Sequence, residues 1–253
     1  MAILAVIPAR MAATRLPGKP LRPLGGEPLV IRVWQRVTAL GVADECVIAT
    51  DSEAVADAAR RAGAPVAMTS DQHPSGTDRV AEVARMDRYR GFETIVNVQG
   101  DEPFVSRTAV SGAAGLVASG AFPLGTAAAP LAAASFQRPD VVKVVRGDDG
   151  RALYFSRAPI PFLRDRADSA ERDAMVRQHV GVYAYSRAAL AAWVALPTHA
   201  LERIERLEQL RPLAAGMAMG VVDVEGDVHR GIDTEEDLTF ANAHWAEFIT
   251  RRS

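Results

Sequence analysis

The sequence predicts an α/β fold with a mainly parallel sheet. Short apolar runs of strand length, at residues 3–7, 47–49 and 93–98, alternate with segments whose apolar residues recur at helical spacing, such as 28–40. The run at 3–7 is apolar without a break, which is typical of a strand buried on both faces of its sheet. Strands that alternate with helices in this way favour a parallel sheet with helices packed against it.

The remaining elements continue this alternation. The helix at 28–40 is expected to end at Gly41, and Ser52 is expected to begin a helix at 53–62. The segment 147–150 (GDDG) predicts a hairpin turn, and the charged stretch 164–177 is expected to be a mobile surface loop. Further strands are expected at 65–68, 124–129, 141–145, 152–155, 180–185 and 219–224, and further helices from 77, at 106–119, 188–196 and 201–213, and from 235. No linker composition marks a boundary, so residues 1–253 are expected to form a single domain with an inserted lobe at about 135–190.

Composition excludes several classes of partner. The chain of 253 residues has a net charge of −2, which argues against nucleic acid. The single Cys46 lies in an apolar run, so it is expected to be a buried thiol and no disulfide framework exists. Residues 108–137 carry no charge, but Pro123, Gly125 and Pro130 interrupt them, so no membrane span is expected. The apolar start lacks a charged leader and stops at Pro8, which favours a strand over a signal peptide and predicts a cytoplasmic protein.

A long connection follows the first strand. About 20 residues separate this strand from the next helix, where ordinary connections have about 2–6. We call residues 8–20 of this connection the basic bend, because they combine three prolines with Arg10, Arg15 and Lys19. Guanidinium groups, a lysine and exposed amides would hold a polyphosphate, although a solvated basic loop is the alternative. Neither a Walker loop nor a G-x-G-x-x-G segment is present in this region.

Two aspartates lie where a metal ion could bind. Asp101 follows the strand at 93–98, and ligands of open α/β sheets bind beyond the carboxyl ends of strands. Asp233 precedes the last predicted helix. One or two carboxylates together with substrate phosphates are typical ligands of Mg²⁺. Each aspartate has a structural alternative, since Asp101 could cap a turn and Asp233 could assist the helix start at Thr234.

Five segments resemble one enzyme family over positions 7–238. They are IPARMAATRLPGKPL in the basic bend, VNVQGDEP around Asp101, YFSRAPIP around Arg157, HVGVY from His179, and LERIERLEQLR from Leu201. Together with the GIDTEEDL segment around Asp233, they are similar to the 3-deoxy-manno-octulosonate (Kdo) cytidylyltransferases. This resemblance implies a Rossmann-like, three-layer fold of the nucleotide-diphospho-sugar transferase type with a smaller lid or dimerisation lobe.

The resemblance also implies roles for individual residues. The residues expected to bind CTP are Ala9, Arg10, Lys19, Ser75, Gly76 and Thr77. The residues expected to bind the sugar are Gln99, Arg157, Arg164, His179, Tyr183, Glu208 and Gln209. Catalysis is expected from Arg10, Arg15, Lys19, Asp101 and Asp233, with the two aspartates holding Mg²⁺. Met11 and Ala13 depart from the family pattern, and His229 and Arg230 could alter the rim of the site.

The residues by themselves leave other interpretations open. Ser75 could be a plain helix cap, and Arg157 could form a salt bridge that fixes the lobe. His179 could be a core histidine, and the helix at 201–213 could present a solvated face of ion pairs. His73 has no second histidine at metal-ligand spacing, so it is expected to be a surface residue.

The implied activity is the transfer of CMP from CTP to Kdo, which gives CMP-Kdo and pyrophosphate for lipopolysaccharide biosynthesis. The expected partners are CTP, Kdo and a second copy of the chain in a homodimer. One rival hypothesis is a synthetase for another acidic sugar, such as sialic acid or 8-amino-Kdo. Another is a nucleotide-binding regulator that has lost catalysis.

Overall fold

The computed structural model describes residues 1–12, 15–225 and 231–250. It contains two compact units, one formed by Met1–Arg107 and His229–Ser253 and the other by Thr108–Val228. Each unit has strands and helices of its own, which confirms the predicted α/β class. The proposed lobe at 135–190 falls within the second unit, and the single-domain organisation stays a prediction.

The first unit is built on four parallel strands in the order β5–β4–β1–β6. These strands are β1 (Ile3–Ala9), β4 (Glu45–Thr50), β5 (Val66–Met68) and β6 (Thr94–Val98). All of β6 and most of β1 are buried, which explains the unbroken apolar run of β1 and the largely apolar sequence of β6. Between β1 and β4 lie the hairpin of β2 (Pro23–Leu24) and β3 (Glu27–Pro28), which the sequence did not predict, and then helix α1 (Leu29–Leu40).

The helices of this unit begin and end close to the predicted positions. Helix α1 ends before Gly41, which takes a left-handed conformation with a φ of 60°. Helix α2 (Glu53–Arg61) follows Ser52, whose side chain makes no capping hydrogen bond. Helix α3 (Gly76–Arg85) starts one residue earlier than predicted. The predicted buried thiol is confirmed, since Cys46 lies in β4 as a free, buried cysteine.

The second unit has a mixed sheet in the order β11–β7–β10–β8–β9. Only the β11–β7 pair is parallel, and the predicted hairpin at 147–150 joins β8 to β9. Its strands are β7 (Leu124–Pro130), β8 (Lys143–Arg146), β9 (Ala152–Ser156), β10 (Arg177–Ser186) and β11 (Met219–Asp223). Its helices are α4 (Arg107–Ala118), α5 (Ser169–Met175), α6 (Arg187–Ala195), α7 (Ala200–Glu205) and α8 (Leu210–Ala214).

Two predictions for this unit are wrong. The stretch at 164–177 is not an irregular loop, because Asp165 accepts a hydrogen bond from the Ala167 amide and begins a 3₁₀ turn that leads into α5. The helix predicted at 201–213 is interrupted, because Arg206 takes a left-handed conformation with a φ of 54° and ends α7.

The chain ends with helices α9 (Glu235–Ala243) and α10 (Trp245–Thr250). The predicted cap of α9 is confirmed: the Thr234 hydroxyl accepts from the Asp237 amide at 3.1 Å, and the Asp237 carboxylate accepts from the Thr234 amide at 2.9 Å. Among the described helices, none has the length and apolar character needed to cross a membrane.

Candidate active site

The second half of the basic bend, from residue 15, ends in a turn at Gly18. Gly18 takes a left-handed conformation with a φ of 66°, which favours glycine, and a 3₁₀ turn over Lys19–Leu21 follows it. The Leu21 amide donates to the Gly18 carbonyl at 2.9 Å, and the Lys19 amide donates to the Leu16 carbonyl at 3.1 Å. Ala13, one of the two departures from the family pattern, lies outside the described residues.

A cavity of about 380 Å³ opens against this bend in the first unit. Its walls come from the basic bend, the start of α3 and the segment after β6, with one residue from the start of α9. The predicted site residues on its wall are Ala9, Arg10, Arg15, Lys19, Ser75, Gly76, Gln99, Asp101 and Asp233. The structure therefore brings together predicted residues that are more than 200 positions apart. His229 and Arg230, which were expected to alter the rim, lie outside the described residues.

Lys19 joins the two predicted catalytic aspartates. Its Nζ atom contacts Asp101 Oδ2 at very short range and Asp233 Oδ1 at 2.8 Å, while Arg15 Nη2 lies 3.1 Å from Asp233 Oδ2. Burial alone would lower the pKa of Lys19, but the two carboxylates outweigh it and raise that pKa. Two anionic side chains thus converge on one positive charge inside the cavity.

This arrangement fits a magnesium ion. No group of three or more histidine, cysteine, aspartate or glutamate side chains suited to a metal occurs among the described residues. Mg²⁺ does not need such a group, because one or two carboxylates suffice when substrate phosphates supply the other oxygen ligands. The pair formed by Asp101 and Asp233 provides this donor set, with a cation already held between the carboxylates.

Glu102, the residue after Asp101, has a raised pKa. Burial, followed by the charges of Asp101 and Asp233, raises its pKa well above the usual glutamate range. A Cβ atom added to Gly231 would lie 2.9 Å from Glu102 Oε1 and 3.2 Å from the Asp101 carbonyl. The absence of a side chain at position 231 therefore lets the chain before α9 approach the segment after β6.

The start of α3 forms the opposite part of the wall. Ser75 is the residue before the helix, and its hydroxyl accepts from the Asp78 amide at 3.3 Å and donates to the Asp78 carboxylate at 2.6 Å. This is the capping role that the sequence left open for Ser75. Thr77 is buried and does not line the cavity. Nucleotide contacts of Ser75, Gly76 and Thr77 stay predictions.

Two residues of this wall were not predicted. The Arg79 side chain is buried, donates to Asp51 Oδ2 at 2.9 Å and contacts Thr69 Oγ1. His73, predicted to be a surface residue, is only 21% exposed at its side chain and lines the cavity, because Glu82 holds its Nε2 atom in a short contact. Both arrangements depend on partners distant in sequence, and no local pattern signals them.

Apart from Gln99, the predicted sugar-binding residues lie in the second unit. The His179 and Tyr183 rings of β10 are neighbours, with centroids 5.3 Å apart, and His179 Nε2 lies 3.0 Å from Thr126 Oγ1. The Thr126 hydroxyl donates to the Val182 carbonyl at 2.7 Å, so the His179 ring donates to Thr126. Burial lowers the pKa of His179 to about 3, so its ring is neutral. Burial, followed by Tyr185 and Glu208, raises the pKa of Tyr183 well above its ordinary value.

The other predicted sugar-binding residues of this unit differ in their surroundings. Arg157 donates through Nε to the Glu205 carbonyl at 2.8 Å and through Nη1 to the Pro139 carbonyl at 2.9 Å, which favours the structural alternative. Arg164 is exposed. Gln209 is buried, and its Nε2 atom has no hydrogen-bond partner among the described residues, as is typical of a donor that awaits a ligand or water. Glu208 is partly buried and close enough to Tyr183 to affect its pKa.

Comparisons with known proteins show the family and agree with the fold. Residues 4–219 match the family model described as cytidylyltransferase, so the class of this protein is that of the nucleotidyltransferases. A protein of Gemmatimonas aurantiaca named 3-deoxy-manno-octulosonate cytidylyltransferase is 63% identical over 245 residues, which cover 97% of this chain and 95% of the relative. A protein of the same name from Xanthomonas campestris pv. campestris is 45% identical over 247 residues, with 95% and 98% covered.

A solved structure agrees with these relatives. It is described as CMP:2-keto-3-deoxy-manno-octonic acid synthetase complexed with CTP, and it matches with a TM-score of 0.88 and 36% identity over 98% of this chain and 99% of the other. The chain therefore belongs to the 3-deoxy-manno-octulosonate cytidylyltransferase family, as its motifs predicted.

Proposed function

We propose that this protein transfers CMP from CTP to Kdo and releases pyrophosphate. The observation that carries the proposal is the convergence of Asp101 and Asp233 on Lys19 inside a cavity that Arg10 and Arg15 also line. Anionic groups that hold a cation next to further cations suit a triphosphate and its metal ion. The relatives named for the same activity support this assignment.

The basic bend binds the triphosphate of CTP. Arg10, Arg15 and Lys19 carry positive charge on the cavity wall, and guanidinium groups match phosphate oxygens with two parallel hydrogen bonds. As the bond to the α-phosphorus breaks, negative charge grows on the leaving pyrophosphate. These side chains stabilise that charge, and the rigid turn at Gly18 fixes Lys19 before the reaction.

Asp101 and Asp233 hold Mg²⁺ together with the phosphate oxygens. When bound, the ion would supply Lewis-acid stabilisation of the phosphoryl group. The nucleophile is the anomeric 2-hydroxyl of Kdo: its oxygen forms a bond to the α-phosphorus of CTP, its proton passes to solvent, and the bond to pyrophosphate breaks. Burial, followed by the charges of Asp101 and Asp233, raises the pKa of Glu102, which disfavours a third negative charge beside the two aspartates.

Polar groups of the second unit bind the sugar acid. The His179 Nε2 proton is used by Thr126, so Nδ1 is left as an acceptor for a sugar hydroxyl. The unpartnered Nε2 atom of Gln209 is a donor for the same ligand. Glu208, Tyr183 and Gln99 are proposed as further contacts. Arg157 acts by fixing the backbone at Glu205 and Pro139, and Arg164 is the more exposed candidate for the carboxylate.

A pyrophosphate-release assay tests the proposal. CTP and Mg²⁺ are incubated with Kdo, 8-amino-Kdo or sialic acid, and the nucleotide sugar is identified by mass spectrometry. We expect turnover with Kdo and formation of CMP-Kdo. Turnover with sialic acid or 8-amino-Kdo alone would replace the acceptor, and binding of CTP without turnover on any acid would favour a regulator. A cytoplasmic homodimer is proposed from the family resemblance, and light scattering after gel filtration measures the dimer.

A further inference from the structure

The wall of the cavity beside α3 differs in charge from the basic bend. In the bend, Arg10, Arg15 and Lys19 are three cations that face the two carboxylates of Asp101 and Asp233. On the α3 wall, Arg79 is paired with Asp51 and His73 with Glu82. The excess positive charge is therefore in the bend, which attracts phosphates, and the α3 wall is suited to the uncharged part of a nucleotide.

Most polar side-chain groups of the α3 wall are already engaged. The Ser75 hydroxyl donates to Asp78 Oδ2 at 2.6 Å, and the Arg79 guanidinium contacts Asp51 and Thr69. His73 uses one ring nitrogen, Nε2, for Glu82, and its Nδ1 atom has no partner among the described residues. Nδ1 of His73 is thus a polar atom of this wall that is left for a ligand.

Glu82 determines which hydrogen-bonding role Nδ1 can take. The Ser70 amide donates to Glu82 Oε2 at 2.9 Å. Burial alone would raise the pKa of Glu82, but the contacts with His73 and the Ser70 amide lower it, so this carboxylate is ionised. An ionised carboxylate only accepts hydrogen bonds, so Nε2 is the donor of this pair and Nδ1 is the ring nitrogen left for a ligand.

We propose that His73 selects cytosine over uracil, with Nδ1 accepting a hydrogen bond from the 4-amino group of the base. Uracil carries a carbonyl oxygen at this position. A lone pair of that oxygen would then face the lone pair of His73 Nδ1. A site built to bond one polar group rejects an analogue that lacks it, because its own polar group is left unpaired. The inference rests on the proposed function, since it takes the nucleotide to be a pyrimidine triphosphate bound in this cavity.

Isothermal titration with nucleotide and Mg²⁺, in the absence of any sugar, tests the inference. The ligands are CTP, UTP and the triphosphate of the pyrimidin-2-one nucleoside, which lacks only the 4-amino group. His73→Gln is the informative variant, because its side-chain amide can still donate to Glu82 while the Nδ1 acceptor is removed. His244→Gln, which changes a histidine outside the cavity lining, is the matched control.

We expect the full chain to bind CTP about 100-fold more tightly than UTP. His73→Gln should weaken CTP binding about tenfold and change binding of the pyrimidin-2-one analogue by less than about twofold. The loss of the 4-amino group and the loss of Nδ1 should therefore not be additive in binding free energy. A preference for CTP over UTP that stays at about 100-fold in His73→Gln, or equal losses for CTP and the analogue, would overturn the inference. Equal binding of CTP and UTP by the unaltered chain would also overturn it.

The proposed function is judged separately. Selective CTP binding that depends on His73, combined with no turnover on sugar acids, would leave the inference standing and refute the proposed function. Turnover of CTP with Kdo, combined with unaltered base selection in His73→Gln, would support the proposed function and refute the inference. Thermal unfolding of both variants reports whether a loss reflects misfolding, and His73→Asn, which offers an amide oxygen near the Nδ1 position, should restore part of the CTP preference.

Discussion

Replacing Lys19 should increase the affinity of the nucleotide-free protein for divalent ions. The Lys19 ammonium lies 2.8 Å from Asp233 Oδ1 and in very short contact with Asp101, so it occupies the position between the two carboxylates that a metal ion would share. In Lys19→Met the carboxylates remain and the competing charge is gone. The variant should also lose turnover, because methionine at position 19 supplies no positive charge to the triphosphate.

The magnitude follows from Coulomb's law. A divalent ion about 4 Å from the ammonium is repelled by about 2 kcal/mol in water and by about 8 kcal/mol at an effective dielectric constant of about 20. The lower value applies here, because the Asp233 side chain is 43% exposed and solvent screens the charges. About 2 kcal/mol corresponds to about 30-fold tighter binding.

Mn²⁺ binding measured by electron paramagnetic resonance, without nucleotide and at constant ionic strength, checks this value. Lys19→Arg keeps the charge and should bind Mn²⁺ as the unaltered protein does. Arg15→Met removes a cation that is 66% exposed and should change the affinity less than about threefold. Mn²⁺ should raise the Tm of Lys19→Met more than that of the unaltered chain. If Lys19→Met bound Mn²⁺ no more tightly than the parent protein, the shared position of ammonium and metal would be refuted.

Three further predictions concern other parts of the molecule. Asp101→Asn should abolish turnover while circular dichroism and the Tm stay close to those of the parent protein. Gly100→Ala should cost about 1–3 kcal/mol in urea unfolding, because its Cβ would lie 2.8 Å from the Pro8 carbonyl, whereas Gly91→Ala, with open space around it, should cost less than about 0.5 kcal/mol. His179, with a folded-state pKa of about 3, binds its proton more readily when unfolded, so its contribution to stability is complete above about pH 6.5 and is lost as the pH falls toward 3. His179→Gln should therefore reduce the slope of unfolding free energy against pH in that window by up to about 1.4 kcal/mol per pH unit.

Each of these has a result that would contradict it. An active Asp101→Asn enzyme that still responds to Mg²⁺ would refute the metal assignment. Equal losses in Gly100→Ala and Gly91→Ala would show that the approach of the strand ends does not limit the backbone there. An unchanged pH slope in His179→Gln would mean that the native ring is not held neutral.

Elements that depend on one local signal could be predicted from the sequence. Strands β1 and β6 are buried along most of their length, so their apolar runs alone mark them. The start of α9 is encoded within four residues, because Thr234 and Asp237 bond each other's amides. The basic bend and Asp101 could be predicted because they follow β1 and β6, at the carboxyl ends of strands where α/β sheets bind ligands, whereas Asp233 was predicted from its family motif.

The break in the 201–213 helix could not be predicted in this way, because distant contacts determine it. The apolar spacing continues through Arg206, but Glu205 is held by the Ser156 hydroxyl at 2.6 Å, and Glu202 forms a bidentate pair with Arg211 at 2.6 and 2.8 Å. These contacts require β9 and α8 to be in place. A one-dimensional pattern also cannot report the burial of His73, since that depends on Glu82 in the next helix.

The segment that follows the basic bend is attached to the last helices, and this attachment has a consequence for synthesis on the ribosome. Arg22 forms a bidentate pair with Glu235 at 2.6 and 2.8 Å, and Asn242 receives a hydrogen bond from the Gly25 amide at 2.9 Å. These contacts join residues more than 200 positions apart, so the nascent N-terminal segment lacks them until translation is almost finished. A messenger truncated before codon 233 would yield a polypeptide that keeps the contact between Lys19 and Asp101 but lacks Asp233, the partner that Arg15 and Lys19 share.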